Sequence, residues 1–372
     1  MEQNRLIIVS TIIDSFNYGT VMQAVATKCI LEDYGRPVFV DYQRPWWTPD
    51  GHKAEAFSRP GNLLWNGLRY LLSLPDWNHR HRLFRTFVEQ ELTLCDSTPF
   101  LTGQGVFDMD AVYCVGSDQT WNASENKGVD PVFFLLNVPD GCRRIALSAS
   151  FGRQSLSDKE KRMTKPALGK FQSISVRESS SVKILNSMGL DGVALKDPVL
   201  LCKPELWWDL SQSVKPDKDP YLLVYRLNPN PALDRYAADV ARDLHCGVRI
   251  VTPTLGLWPS PGSSMKIVCE PTPERWLSLF RDAQYVVTDS FHGTCFSLIF
   301  EKPMTVFDPP KYSIRLIDVL RDFDLSARRI PMGADSNAGP IHHQNVDWDG
   351  VRAAKTRYAG EARAYLDSCF SK

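Results

Sequence analysis

The chain has 372 residues, 43% hydrophobic and 23% charged, the balance of a globular protein long enough for two cores. Lysine plus arginine and aspartate plus glutamate both total 43, and this zero net charge excludes the overall basic footprint of a nucleic-acid binder. No apolar run reaches membrane-spanning length, and the nine scattered cysteines form no Cys-x-x-Cys pair, which argues for reduced thiols over a disulfide framework or structural zinc.

The N-terminus lacks the basic and apolar regions of a signal peptide, so a cytoplasmic location is expected. Residues 6–11 read as a buried strand, 14–19 as a polar turn, 20–34 as a helix ended by Gly35, and 37–42 as a strand. Strand, loop, helix and strand in that order open a parallel α/β sheet. Residues 44–100 are less regular. There Trp46, Trp47, Trp65, Tyr70, Trp77 and Phe84 interleave with Arg69, Arg80, Arg82 and Arg85. Core and lid packing is the expected use of this segment, with peripheral contact to a membrane surface or lipid carrier as the alternative. Strands come next at 111–115, 144–149 and 173–176, with helices over 157–170 and 178–188, and residues 191–201 close the first half.

Residues 204–220 are polar, hold three prolines and read as a linker. A second α/β half begins after it, with strands at 221–225, 248–251, 285–288 and 304–307 and helices at 232–244, 273–281 and 293–300. A last helix is expected over 351–370. The reading is an α/β protein of two Rossmann-like domains facing a cleft, with ligands outside the carboxyl ends of the strands. The domains are expected at 1–203 and 218–330, with the tail 331–372 packing its helix back on the first.

The sharpest local signal is the run from Tyr285 to Thr294, a buried strand leading through a polar turn into a helix. It places Asp289, Ser290 and His292 at a strand's carboxyl end. The amides of Gly293 and Thr294 open a helix N-terminus, which suits a phosphate or carboxylate. His292 there is either an acid–base group or a structural residue of a capping turn. The loop of Gly116, Ser117, Asp118 and Gln119 ends another strand. Gly116 permits positive φ or close ligand approach, or the loop is a plain turn capped by Asp118. Arg177 stands where a strand gives way to a helix, as an anion clamp or as the ion-pair partner of Glu178. Lys311 comes two prolines after the strand at 304–307, as an anion contact or a solvated lysine. Asn17, Gly19 and Gln23 lie in a Gly-containing turn after the first strand, but neither a dinucleotide fingerprint nor a P-loop is present. No His/Cys/Asp cluster has metal-ligand spacing.

Taken in order, residues 17–23, 116–121, 149–152, 176–179, 197–201 and 288–294, with Lys302 and Pro303 after them, resemble the polysaccharide pyruvyl transferase family. The resemblance implies a fold similar to that of the two-domain GT-B glycosyltransferases. It implies phosphoenolpyruvate as donor, a saccharide acceptor that is lipid-linked in some settings, and a cyclic ketal product in surface polysaccharide synthesis. The first domain would be the acceptor side and the second the donor side. Arg177, His292 and Lys311 match the family's donor contacts. Many members carry an arginine where this chain has Ser290, so another cation is expected to replace it. Trp121 and Ser150 lie in matched segments and join the expected substrate-binding set. His292 is the expected acid, and Asp289, Asp118 or Asp14 the base. The chemistry needs no metal and no cofactor beyond the donor. The alternatives are a nucleotide-sugar glycosyltransferase on the same architecture, a sugar- or anion-binding member without turnover, and a phosphoenolpyruvate-dependent transferase with another acceptor.

Overall fold

A computed structural model describes residues 5–14, 16–58, 60, 62–252, 265–310, 313–333 and 341–371. The chain divides into two compact units, Met1–Cys202 with Glu361–Lys372, and Lys203–Gly360.

The first unit runs β1 (Leu6–Ser10), α1 (Tyr18–Leu31), β2 (Arg36–Asp41), α2 (Pro49–Ser58), α3 (Leu63–Glu91), β3 (Leu94–Asp96), α4 (Thr98–Thr102) and β4 (Val112–Val115). It continues with β5 (Arg143–Ala149), α5 (Asp158–Leu168), β6 (Ser173–Val176), α6 (Ser179–Asn186), β7 (Val193–Ala194) and α7 (Pro198–Leu201). Among the described residues its strands form one parallel sheet ordered β3-β2-β1-β4-β5-β6-β7. The central strand β4, Val-Tyr-Cys-Val, is buried along its whole length, as a parallel strand covered on both faces must be. Trp121 packs among Phe134, Phe151 and Phe171 in this core.

The second unit runs α8 (Glu205–Gln212), β8 (Tyr221–Tyr225), α9 (Pro231–Asp243), β9 (Gly247–Val251), β10 (Met265–Ile267), α10 (Pro273–Asp282) and β11 (Tyr285–Thr288). Then come α11 (Phe291–Ile299), β12 (Met304–Phe307), α12 (Ser313–Asp322), β13 (Arg329–Ile330) and α13 (Trp348–Phe370). Its sheet, again parallel, is ordered β10-β9-β8-β11-β12-β13. Both sheets therefore contain the doubly wound order of a Rossmann fold, with a switch point between β1 and β4 in one and between β8 and β11 in the other.

Two segments differ from the sequence-based expectation. Residues 44–100 hold α2 and the 29-residue α3. Gly67 and Pro75 inside α3, and an apolar stripe that turns outward, hide the helix from a pattern search for a core-facing face. Residues 204–220 are not an extended linker. They contain α8, whose Trp207 is fully buried edge-on to Phe296 at 5.0 Å, with prolines only at the flanks. In α13, residues up to Gly360 belong to the second unit and those from Glu361 to the first. Arg352 pairs with Glu301 at 2.7 Å, while the Tyr365 hydroxyl donates to the Ala146 carbonyl at 2.7 Å.

Candidate functional site

In the first unit, polar residues gather at the carboxyl ends of β1, β4, β5 and β6. Gly116 ends β4 beside β1. A Cβ there would stand 2.9 Å from Thr11 Cβ, so the glycine is required by strand-to-strand approach. The positive φ falls instead on Asp118, at 69°, a left-handed conformation that aspartate tolerates better than most residues. That turn lets Asp118 Oδ1 accept from the Gln119 amide at 2.9 Å and Oδ2 from Thr20 Oγ1 at 2.9 Å. The strand β5 is irregular between Ala146 and Ala149, where Ser148 also has positive φ, 53°.

Arg177, directly after β6, is buried among three carboxylates. Its guanidinium lies 2.7 Å from Asp197, 3.2 Å from Glu178 and 3.6 Å from Asp118. Burial alone would lower its pKa. Glu178, Asp197 and Asp118 outweigh that and hold it above the ordinary arginine value. Ser150 Oγ donates to Glu178 at 2.8 Å, and Ser117 Oγ to Asp197 at 3.4 Å. Gln23 is fully buried and donates to Thr11 Oγ1 at 3.0 Å. Asn17 caps α1 by accepting from the Gly19 amide at 3.0 Å. Asp14 is held by Arg44, with 2.7 Å between Oδ1 and the guanidinium. The Trp121 indole donates to the Phe133 carbonyl at 3.0 Å. Trp121 is thus a core residue, and its side chain is not exposed for stacking on a sugar.

In the second unit, β11 delivers Asp289 and Ser290 to the switch point. Asp289 accepts from the Leu227 amide at 2.6 Å, the Asn228 amide at 3.1 Å and Asn228 Nδ2 at 2.9 Å. It therefore ties down the loop after β8. Burial raises its pKa above the ordinary carboxylate value, and the bonds from Asn228 and Leu227 offset part of that. Ser290 is the N-cap of α11 and accepts from the Gly293 amide at 3.3 Å. The Thr294 amide donates to the Ser290 carbonyl at 3.0 Å. The amides of Gly293 and Thr294 are thus engaged within the chain, contrary to the expectation that they face an anion. Gly293 is itself required by packing, since a Cβ would meet Thr288 Oγ1 at 2.4 Å.

His292 stands in the first turn of α11, 6% exposed, edge-on to Phe291 at 5.2 Å. The Arg315 guanidinium of α12 lies over the Phe291 ring, 5.6 Å from its centre. Arg226, directly after β8, is buried, lies 3.0 Å from Asp234 and donates to the Asn228 carbonyl at 3.4 Å. The sequence reading missed Arg226, Asn228, Asp234 and Arg315. Arg226 succeeds its strand as Arg177 succeeds β6, a signal open to a reader of the sequence, whereas Arg315 is one of two arginines on α12 and carried none. Lys311 lies outside the described residues.

The structure thus brings Asp118, Ser117, Arg177, Thr20 and Ser150 together in one unit, and Asp289, Ser290, His292, Gly293 and Thr294 in the other. The model of the polysaccharide pyruvyl transferase family matches residues 17–310. Among curated proteins, none matches the sequence. Solved structures of similar fold include a UDP-glucosyltransferase from Polygonum tinctorium, at 8% identity and TM-score 0.50 over 100% of both chains. Medicago truncatula UGT71G1 complexed with UDP-glucose gives 8% identity and TM-score 0.51 over 99% of this chain and 98% of that one. The glycotransferase of kitacinnamycin gives 10% identity and TM-score 0.50 over 99% and 100%. At these identities the likeness establishes the GT-B-like fold and nothing of the chemistry.

Proposed function

Because the chain belongs to the polysaccharide pyruvyl transferase family, we propose that it moves the pyruvyl group of phosphoenolpyruvate onto two hydroxyls of a saccharide, closing a cyclic ketal. The observation that carries this reading is His292 in the first turn of α11, at the switch point of the second sheet and inside the matched residues. Sheets of this order bind ligands outside the strand ends at the switch point, where an imidazole can serve as a general acid.

In the proposed reaction His292 gives a proton to the methylene carbon of the donor. The neighbouring carbon becomes electrophilic, and a saccharide hydroxyl oxygen bonds to it. The carbon–oxygen bond to phosphate breaks, phosphate leaves, and a second hydroxyl closes the ring. Each hydroxyl loses one proton. One restores His292 and the other leaves with phosphate. Fixed cations offset the donor's negative charge. Arg315 beside Phe291 is our candidate for the cation that many members carry at the Ser290 position. Lys311, one residue past the matched stretch, is our candidate for a second donor contact. Arg177, committed to three carboxylates, is assigned a positioning role.

The test is phosphate release from phosphoenolpyruvate with and without a panel of glycosides, beside thermal shifts with phosphoenolpyruvate and UDP-glucose. Acceptor-dependent release that His292→Ala abolishes supports the proposal. Stabilisation by UDP-glucose with none by phosphoenolpyruvate overturns it in favour of glycosyl transfer.

A further inference from the structure

The first half of α3 packs the wrong way round for a core helix. Its polar side faces α2. Asn66 is buried, Ser73 Oγ lies 3.1 Å from His52 Nε2, and Tyr70 packs on His52 and Phe57 at 5.5 and 6.0 Å. His52, Asn66, Tyr70 and Ser73, with Glu55, Ala56 and, at the edge of the apolar stripe, Arg69, line a small cavity of about 210 Å³. The apolar side faces out. Leu63, Leu64, Trp65, Leu68, Leu71 and Leu72 are between 45% and 83% exposed. At 3.6 residues per turn, all of these except Leu63 fall on one arc about 120° wide. Six large side chains on three consecutive turns exceed the scattered apolar exposure of ordinary protein surfaces.

We propose that this stripe is a membrane-surface docking element, laid into the interface of an anionic bilayer. Three features select lipid over a protein partner. Within residues 62–75 the only charged side chain is Arg69, and the same arc turns basic at its far end with exposed His79 and Arg82. The adjacent acid, Asp76, is 3.4 Å from Arg80. A second copy of the chain placed face to face would bring two sets of these arginines around one apolar patch with no acid in the stripe to meet them. Anionic headgroups supply that countercharge, while the arginine stems lie along the apolar surface. Trp65 suits the boundary layer, where an apolar ring and a polar N–H are both accommodated. The stretch from Leu63 to Leu74 is about 18 Å long, well short of the roughly 30 Å hydrocarbon core, so the helix lies on the membrane and does not cross it. No helix among the described residues is long and apolar enough to span. The proposal stands on this patch and does not depend on the identity of the donor.

The experiment is co-sedimentation of the full chain with vesicles of phosphatidylglycerol and phosphatidylcholine in equal parts, and of phosphatidylcholine alone. Sedimentation velocity without lipid runs in parallel. The expected result is binding to the anionic vesicles that falls tenfold or more in the Leu64→Ser, Leu68→Ser, Leu72→Ser variant. A smaller, several-fold fall is expected in Arg69→Gln, Arg82→Gln, together with weaker salt dependence. All five positions are exposed, so thermal unfolding of both variants should match the parent. Absence of vesicle binding by the parent overturns the proposal. So does equal binding by the serine variant, or a parent dimer that the serine variant dissociates while vesicles bind neither.

Discussion

Past the carboxyl ends of β4, β6 and β7 in the first sheet, Arg177, Asp118, Glu178 and Asp197 are buried and spend their charge on one another. At the switch point of the second sheet, Asp289 holds a loop, Ser290 caps a helix, and His292 stands beside Phe291 and Arg315. Both sheets contain the same doubly wound strand order. The two differ in the residues just past the strand ends. In the first unit a guanidinium succeeds β6 and gathers carboxylates from three loops. In the second, β11 runs into a helix whose first turn carries an imidazole. One topology thus yields a polar clasp in one place and a candidate acid in the other. Polar residues at strand ends do not identify a reaction centre unless their hydrogen bonds are first assigned.

The comparison breaks if the clasp, and not the second switch point, is where turnover is lost. His292→Ala should reduce kcat for acceptor-dependent phosphate release by roughly 10²–10⁴-fold, the usual share of a general acid, with the unfolding temperature unchanged. Arg177→Met should act on the fold. It leaves three carboxylates around a neutral side chain, and a loss of about 3–5 kcal/mol is expected in urea unfolding, the range for breaking a buried ion pair. If Arg177→Met keeps its stability and loses only activity, the clasp belongs to the reaction centre. Arg315→Gln sharpens the second site. It should raise KM for phosphoenolpyruvate several-fold and shrink the thermal shift that the donor produces, with kcat changed less. Equal KM in parent and variant would remove Arg315 from the donor site.

The smallest expected effect is on pH dependence. Burial holds the Asp289 carboxyl above its ordinary value of 3.8. A raised carboxyl favours the fold while protonated. Its contribution is complete below the ordinary value and is lost as pH rises through the raised one. Asp289→Asn removes that dependence, so the stability advantage of the parent should narrow as pH rises above about 4. A gap that widens with pH would reverse the sign assigned to this group.

The α/β class was legible because both sheets are parallel and buried on both faces, so strands such as Val112–Val115 and Tyr285–Thr288 read as apolar runs ended by polar turns. The work of the turn residues was less legible. Gly116 and Gly293 read equally well as ligand approaches and as packing. Only the positions of Thr11 and Thr288 decide for packing. The bonds from Asp289 to Leu227 and Asn228 join residues about sixty positions apart, and no local pattern announces them. In α3 the familiar rule points the wrong way, because its leucine stripe marks the outer surface and its asparagine and serine the packed one.

The left-handed turn at Asp118 constrains what this position can become. It must supply a carboxylate to Thr20 Oγ1, Gln119 and Arg177, and it must do so from a backbone at φ 69°. Asparagine accepts that backbone but withholds the negative charge. Glutamate brings the charge on a longer stem and resists the backbone, and glycine meets the geometry with no acceptor at all. Two demands that most residues meet one at a time meet here on a single atom chain, so the site admits aspartate and little else, in this chain and in any descendant that keeps the clasp.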